Sequence, residues 1–234
     1  MKCIMLNSGM GTRLGDLTKN NPKSLVHLND DETIFSRAIS ILSEYDIDEF
    51  IITTGYLCDV LKDYIDENFP DLKFTFVHNP IYDKTNYIKS IDLISDLDDD
   101  VILLHGDLVF DKETAFEVVN SNYSCVVIDS TIKIPKDDFK AKCVDGVVKY
   151  IGVDYFEEDA VACQPFYKLK NEEWTAWKSK IREFCENGNT NVYAENAFNI
   201  ISDELIIKSL DLKGKLCMEV DNPDDLNKVK EILN

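Results

Sequence analysis

Short apolar runs alternate with amphipathic stretches through the first half of the chain, the pattern left by parallel strands joined by crossover helices. Residues 3–6 are a buried-strand run, 33–45 set Ile34, Phe35, Ala38, Ile39, Ile41 and Leu42 on one helical stripe, and the β-rich 50–54 stop at Gly55. The alternation continues with a helix at 60–69, a strand at 74–77, a helix at 87–97 and a strand at 101–104 that runs into Gly106-Asp107. A helix at 114–119 and a strand at 125–128 follow. From 129 to about 167 the period shortens towards two, which predicts antiparallel strands within 140–150 and at 160–167. Helices resume at 172–186 and 194–207, and a strand at 216–220 and a helix at 223–233 close the chain. The expected fold is α/β: a three-layer sandwich with a mostly parallel mixed sheet, one domain over 1–234, and a small accessory lobe at about 129–192. Such sheets bind ligands beyond the carboxyl ends of their strands, so the residues just after each strand matter most.

The length of 234 residues suits one large domain, and 44% apolar residues with 24 aromatics can fill its core. Charge changes the picture more. With 44 acidic and 25 basic side chains the net charge is −19, a sign that repels nucleic acid and anionic membrane surfaces. A polyphosphate ligand would require local cations or a metal ion to offset that field. The seven cysteines are scattered and never spaced C-x-x-C, which argues against a disulfide framework and for a reducing compartment. With no apolar run approaching ~18 residues and no signal-like start, the expected location is the cytoplasm.

The first strand runs into Asn7-Ser8-Gly9-Met10-Gly11-Thr12-Arg13-Leu14-Gly15, a window holding three of the nine glycines. Backbone without Cβ atoms can approach a ligand closely, and its amides form an anion cradle. The bland alternative is a tight turn with no ligand. A dinucleotide fingerprint needs a third glycine where Leu14 stands, and a P-loop needs Gly-Lys-Ser/Thr; both are absent. Arg13 is one of only three arginines, and a guanidinium in this loop would clamp phosphate oxygens in bidentate fashion. Lys23, after the stiffening Pro22, would read alone as a solvated surface lysine; beside the loop it becomes a second phosphate-directed cation.

Gly9-Met10-Gly11-Thr12-Arg13-Leu14 followed by Pro22-Lys23 resembles the G-x-G-T-R-L…P-K signature of the nucleotidyltransferases that make nucleotide-activated sugars and phospho-alcohols. This chain has Leu6-Asn7-Ser8-Gly9 where that family commonly has Leu-Ala-Ala-Gly. Leu103-Leu104-His105-Gly106-Asp107 and Met218-Glu219-Val220-Asp221 resemble the family's two aspartate segments. The resemblance implies a Rossmann-like, nucleotide-diphospho-sugar transferase type of fold. It also implies transfer of a nucleoside monophosphate from an NTP to a phosphorylated acceptor with release of pyrophosphate. Arg13 and Lys23 would be the catalytic cations, and Asp107 and Asp221 would end parallel strands and hold Mg²⁺. The nucleotide would meet Leu6, Asn7, Ser8, Gly9, Met10, Gly11, Thr12, Arg13, Asn86 and Ser90. Asp221-Asn222-Pro223 also suits a helix start with Asp221 as its cap, a reading left open beside the metal one.

Within the family, the segment 79–90 and the compact length look most like cytidylyltransferases acting on phosphocholine and related phospho-amino-alcohols or phosphonates. CTP and such an acceptor are the expected partners, with Lys23, Tyr193 and Glu195 on the acceptor side and the 129–192 lobe carrying specificity. Trp174 and Trp177 read as packing, and His27, His78 and His105 as structural residues, because no His pair or Ser/His/Asp pattern accompanies them. Two other readings stand beside this one: a sugar-1-phosphate nucleotidyltransferase using dTTP, UTP or GTP, and a catalytically silent nucleotide-binding module. The latter would be expected to have lost one of Arg13, Lys23, Asp107 or Asp221. A homodimer is compatible with the sequence, which does not define the oligomeric state.

Overall fold

The computed structural model describes residues 1–233; Asn234, the last residue of the expected domain, lies outside the described residues. Eleven strands form among them: β1 (Lys2–Asn7), β2 (Glu49–Thr54), β3 (Phe74–His78), β4 (Val101–His105), β5 (Leu108–Phe110), β6 (Cys125–Asp129), β7 (Lys140–Val144), β8 (Val147–Gly152), β9 (Ala160–Leu169), β10 (Lys208–Asp211) and β11 (Cys217–Glu219). Seven α-helices accompany them: α1 (Ile34–Leu42), α2 (Cys58–Asn68), α3 (Tyr87–Asp92), α4 (Lys112–Val119), α5 (Asn171–Glu186), α6 (Ala194–Ile201) and α7 (Pro223–Leu233).

Nine strands make one mixed sheet in the order β3-β2-β1-β4-β9-β6-β10-β8-β7. Strands β3, β2, β1 and β4 are parallel, with Ile4 opposite Ile51 and Leu103 at the centre. Alternation along these strands sorts the core into two layers. Ile4, Ile51 and Leu103 pack with α3, α5 and α6, whereas Met5, Ile52 and Leu104 pack with α1, α2 and α4. Trp174 and Trp177 are at most 1% exposed within the first layer, consistent with packing. Burying this much apolar surface on both faces fixes the register, since a one-residue slip would turn each strand inside out.

The structure departs from the sequence reading in four places. Helix α3 ends at Asp92, not at 97, because Ser95, Asp96 and Asp98 favour turns and put negative charge where a helix C-terminus disfavours it. Helix α6 likewise stops at Ile201, before Ser202-Asp203. Strands β5 and β10, three and four residues long, were not expected, being too short to show a period. Finally, β9 lies between β4 and β6, antiparallel to both, and α5 packs against it. The 129–192 stretch is therefore built into the sheet and is not an appended lobe; its β7–β8 hairpin occupies the edge and also pairs β7 back onto β9.

Candidate active site

The loop after β1, the end of β4 and the segment after β11 meet at the carboxyl end of the parallel strands. Asp107 follows β4 as expected. Asp221, however, does not end a parallel strand: β11 runs antiparallel to β5 in a separate two-stranded ribbon. Met218 sits opposite Val109, and Val220 N–H donates to the Asp107 carbonyl at 3.0 Å, so the two aspartates are brought together by this ribbon. The cap of α7 is Asn222, whose side chain accepts from the N–H groups of Asp224 and Asp225, leaving the Asp221 carboxylate to face the site.

There, Lys23 Nζ donates to one oxygen each of Asp107 and Asp221, and the Arg13 guanidinium lies 2.8 Å from Asp221. All four expected charged residues thus share one crevice. Burial disfavours a charged ammonium, but the two carboxylates outweigh it and hold the Lys23 pKa above the ordinary lysine value. Burial would likewise raise Asp107, yet Lys23 and then His105 keep its pKa below the usual aspartate value. The other oxygen of Asp107, Oδ1, is buried without a hydrogen-bond partner. Gly11 adopts φ +62°, and a Cβ there would come 2.9 Å from the Lys23 Cβ, so the glycine loop is shaped around this lysine. Thr18, not anticipated from the sequence, ties the loop by donating to the Gly11 and Gly15 carbonyls at 2.9 and 3.2 Å.

Two adjoining cavities of about 320 and 370 Å³ flank the crevice and share Gly9, Asn86, Tyr87, His105 and Asp107. The first is lined by Leu6, Ser8, Tyr82 and Ser90. Ser90 is fully buried; its hydroxyl donates to Ser8 at 2.9 Å and accepts from Asn79 at 3.1 Å, so it supports Ser8 from behind. Asn7 lines neither cavity. Its side chain turns to the Met5 carbonyl at 3.3 Å, and it packs where a Cβ on Gly106 would collide with it. Asn86 uses its side-chain oxygen to cap α3 through the Tyr87 N–H, at 2.7 Å.

The second cavity takes in Met10, Thr12, Arg13, Tyr193 and Asp221 from the expected set. Glu195, expected on the acceptor side, is instead 2% exposed, and its oxygens accept from the hydroxyls of Tyr87 and Tyr167. It supports the Tyr87 wall of the cavities and is not open to a ligand head group through those oxygens. Glu195→Gln would set an amide N–H₂ against one hydroxyl donor and is expected to destabilise the fold by about 1–3 kcal/mol, measured by chemical denaturation.

The sequence reading placed neither His105 nor Glu219 in the site and took His105 as structural, whereas in the fold both line the second cavity. The Nδ1 of His105 lies 3.0 Å from Glu219, its Nε2 is buried without a partner, and its ring meets Tyr87 edge-on at 4.7 Å between centroids. Burial pushes the Glu219 pKa up to about 7, with the Asp107 and Asp221 charges adding to it and the His105 bond opposing. Burial lowers the His105 pKa, but Glu219 outweighs it and the net shift is upward. Both shifts favour keeping a proton on the pair near neutrality. His105, Asp107 and Glu219 each offer a ligand atom within 4.8 Å of the others. The one usable signal for His105 was its place in the strand-end run before Gly106-Asp107.

A mixed α/β sheet with this strand-end site is the fold of the nucleotide-diphospho-sugar transferases. The structure superposes on the CTP:phosphocholine cytidylyltransferase from Streptococcus pneumoniae with a TM-score of 0.83 at 24% identity, covering 100% of this chain and 99% of that one. It superposes on a UDP-glucose pyrophosphorylase complexed with UDP-glucose with a TM-score of 0.78 at 17% identity, covering 99% and 97%. Over residues 23–143 the sequence matches the family described as a domain of unknown function, DUF6564, and the chain belongs to that family. Its curated relatives are nucleotidyltransferases. The choline-phosphate cytidylyltransferase of Streptococcus pneumoniae (strain ATCC BAA-255 / R6) is 26% identical over 100% of this chain and 98% of the relative. The CTP:phosphoglutamine cytidylyltransferase of Campylobacter jejuni is 30% identical over 55% of this chain, and the match spans about half of that relative, 52%. No described helix is long and apolar enough to cross a membrane.

Proposed function

We propose that the protein is a cytidylyltransferase that transfers CMP from CTP to a small phosphorylated or phosphonate acceptor bearing a cationic head, with release of pyrophosphate. The observation that carries this reading is the convergence of Arg13, Lys23, Asp107 and Asp221 beside the glycine loop. Likeness over the full chain to a choline-phosphate cytidylyltransferase supports the choice of nucleotide and acceptor.

The two anionic reactants must be brought together against mutual repulsion. The loop amides and Arg13 would hold the triphosphate, and Lys23 would turn from its carboxylates towards the α-phosphate and the incoming oxygen. An acceptor phosphate with second pKa ~6 is already largely ionised, so its oxygen can attack without a base. A new P–O bond forms at the α-phosphorus as the bond to the β-phosphate oxygen breaks, and pyrophosphate leaves with that electron pair. The first cavity, with its Ser8–Ser90–Asn79 chain, suits a polar base and ribose. The second brings Tyr87, Phe139 and Tyr193 together with five carboxylates and only two cationic side chains, a surroundings that favours a cationic head group.

The same residues fit a divalent ion. Asp107 Oδ1 is buried with no partner, and Asp107 and Asp221 already converge on one positive centre, the Lys23 ammonium. Asp107 and Asp221 would hold Mg²⁺, which when bound supplies charge neutralisation at the phosphate oxygens.

The test is pyrophosphate release with each NTP and Mg²⁺ across phosphocholine, phosphoethanolamine, 2-aminoethylphosphonate and hexose 1-phosphates. Turnover confined to CTP and the amino acceptors is expected; a hexose 1-phosphate as sole productive acceptor would replace this reading with the sugar-nucleotide one. Arg13→Ala is expected to lower kcat/KM for CTP roughly 30- to 100-fold, as for a lost charge-assisted contact of ~2–3 kcal/mol. Because that side chain is 63% exposed, the unfolding free energy should stay within about 0.5 kcal/mol of wild type in urea melts.

A further inference from the structure

Lys140 begins β7, and none of its surface reaches solvent. A buried ammonium is unfavourable unless its three N–H groups find acceptors. Here Nζ donates to the backbone carbonyls of Lys136 at 3.1 Å, Asp138 at 2.9 Å and Val153 at 2.5 Å. The Phe156 ring lies 4.1 Å away as a cation–π partner. Lys140 is thus a charged clamp on two separate backbone segments.

One of these is the connection from β6 to β7. Among the described residues, 132–138 make no hydrogen bond other than the two that Lys140 provides. Much of this segment is exposed, yet it delivers Asp137, Asp138 and Phe139 to the second cavity. The other segment supplies Val153 to the same cavity. Burial raises the Asp138 pKa, with the Asp221 and Asp225 charges adding to it, so the loop is held where its carboxylate is crowded by others. A chain segment with no ladder hydrogen bonds would otherwise relax away from such crowding.

We propose that Lys140 is a positioning residue for the acceptor: by clamping 136–138 to Val153 it holds the Asp137, Asp138 and Phe139 wall of the acceptor cavity in place. The assignment of that cavity to the acceptor rests on the cytidylyltransferase reading, whereas the clamp itself does not. Lys140→Met keeps an unbranched apolar chain and removes the three donations together with the cation–π contact to Phe156. It is expected to raise KM for the productive acceptor about tenfold, with KM for CTP within twofold of wild type. Limited trypsin digestion should nick the chain after Lys133 and Lys136 about tenfold faster than wild type. Phe156→Ala, at an exposed ring, should shift acceptor KM and nicking the same way by about threefold, and decides the matter if the methionine variant does not fold. An unchanged acceptor KM, a parallel rise in CTP KM, or an unchanged nicking rate overturns the proposal. If wild-type protein turns over no acceptor of the panel, the functional reading fails instead, and nicking alone upholds or overturns the clamp.

Discussion

Asp107→Asn is expected to reduce turnover about a thousandfold, roughly 4 kcal/mol of lost transition-state stabilisation. The substitution keeps shape and removes charge at the one group that both pairs with Lys23 and keeps a buried, unpartnered oxygen. If that carboxylate holds Mg²⁺, the Mg²⁺ concentration giving half-maximal rate should rise at least tenfold in the same assays. Folding should be nearly unaffected, within about 1 kcal/mol, because losing one negative charge from a carboxylate-rich crevice offsets the loss of a partner for Lys23. A variant that is folded, binds Mg²⁺ like wild type and retains a tenth of its activity would exclude a central role for Asp107.

Lys23→Met should lose a similar factor in rate, and it should also weaken the fold. The ammonium is the shared counter-ion of two carboxylates whose side chains are 17% and 14% exposed. Removing one partner of a largely buried pair leaves charge uncompensated, and about 2–3 kcal/mol of destabilisation is expected after allowance for the remaining solvent access. The pH dependence follows from the shifts. Asp107 has its pKa lowered from 3.8, so its contribution is present above that value and disappears as pH falls through the folded pKa. Lys23 has its pKa raised above 10.5, so its contribution is present below that value and is lost only as pH rises through the folded pKa. The stability gap between wild type and variant should therefore be broad and flat through neutral pH and close below pH 3.8, as followed by urea melts. Because the position between the carboxylates then lacks its ammonium, Mg²⁺ should raise Tm more in the variant than in wild type; an equal Mg²⁺ effect in the two proteins would refute a common location for the two cations.

Much of this site was legible along the chain. The glycine window, a rare arginine inside it and a lysine after proline are local, and local features survive without knowledge of the fold. The element sequence was legible for the same reason, since burial on two faces imposes period and run length on each strand and helix. Where the reading missed, distance was the cause. His105 meets Glu219 across 114 positions and Glu195 meets Tyr87 across 108, and no spacing rule spans such separations.

By itself the sequence determined the alternating α/β architecture, the loop that approaches a phosphate and the net charge of −19 that demands local cations, because each depends on residue type and near neighbours alone. Only the tertiary structure decided that Asp221 arrives on an antiparallel ribbon, that His105 and Glu219 join the crevice and that Glu195 is buried beneath Tyr87. It alone also revealed that the 132–138 wall hangs from the Lys140 ammonium. Those placements follow from strand pairing and packing between segments far apart in the chain, where a residue's role is set by what it touches.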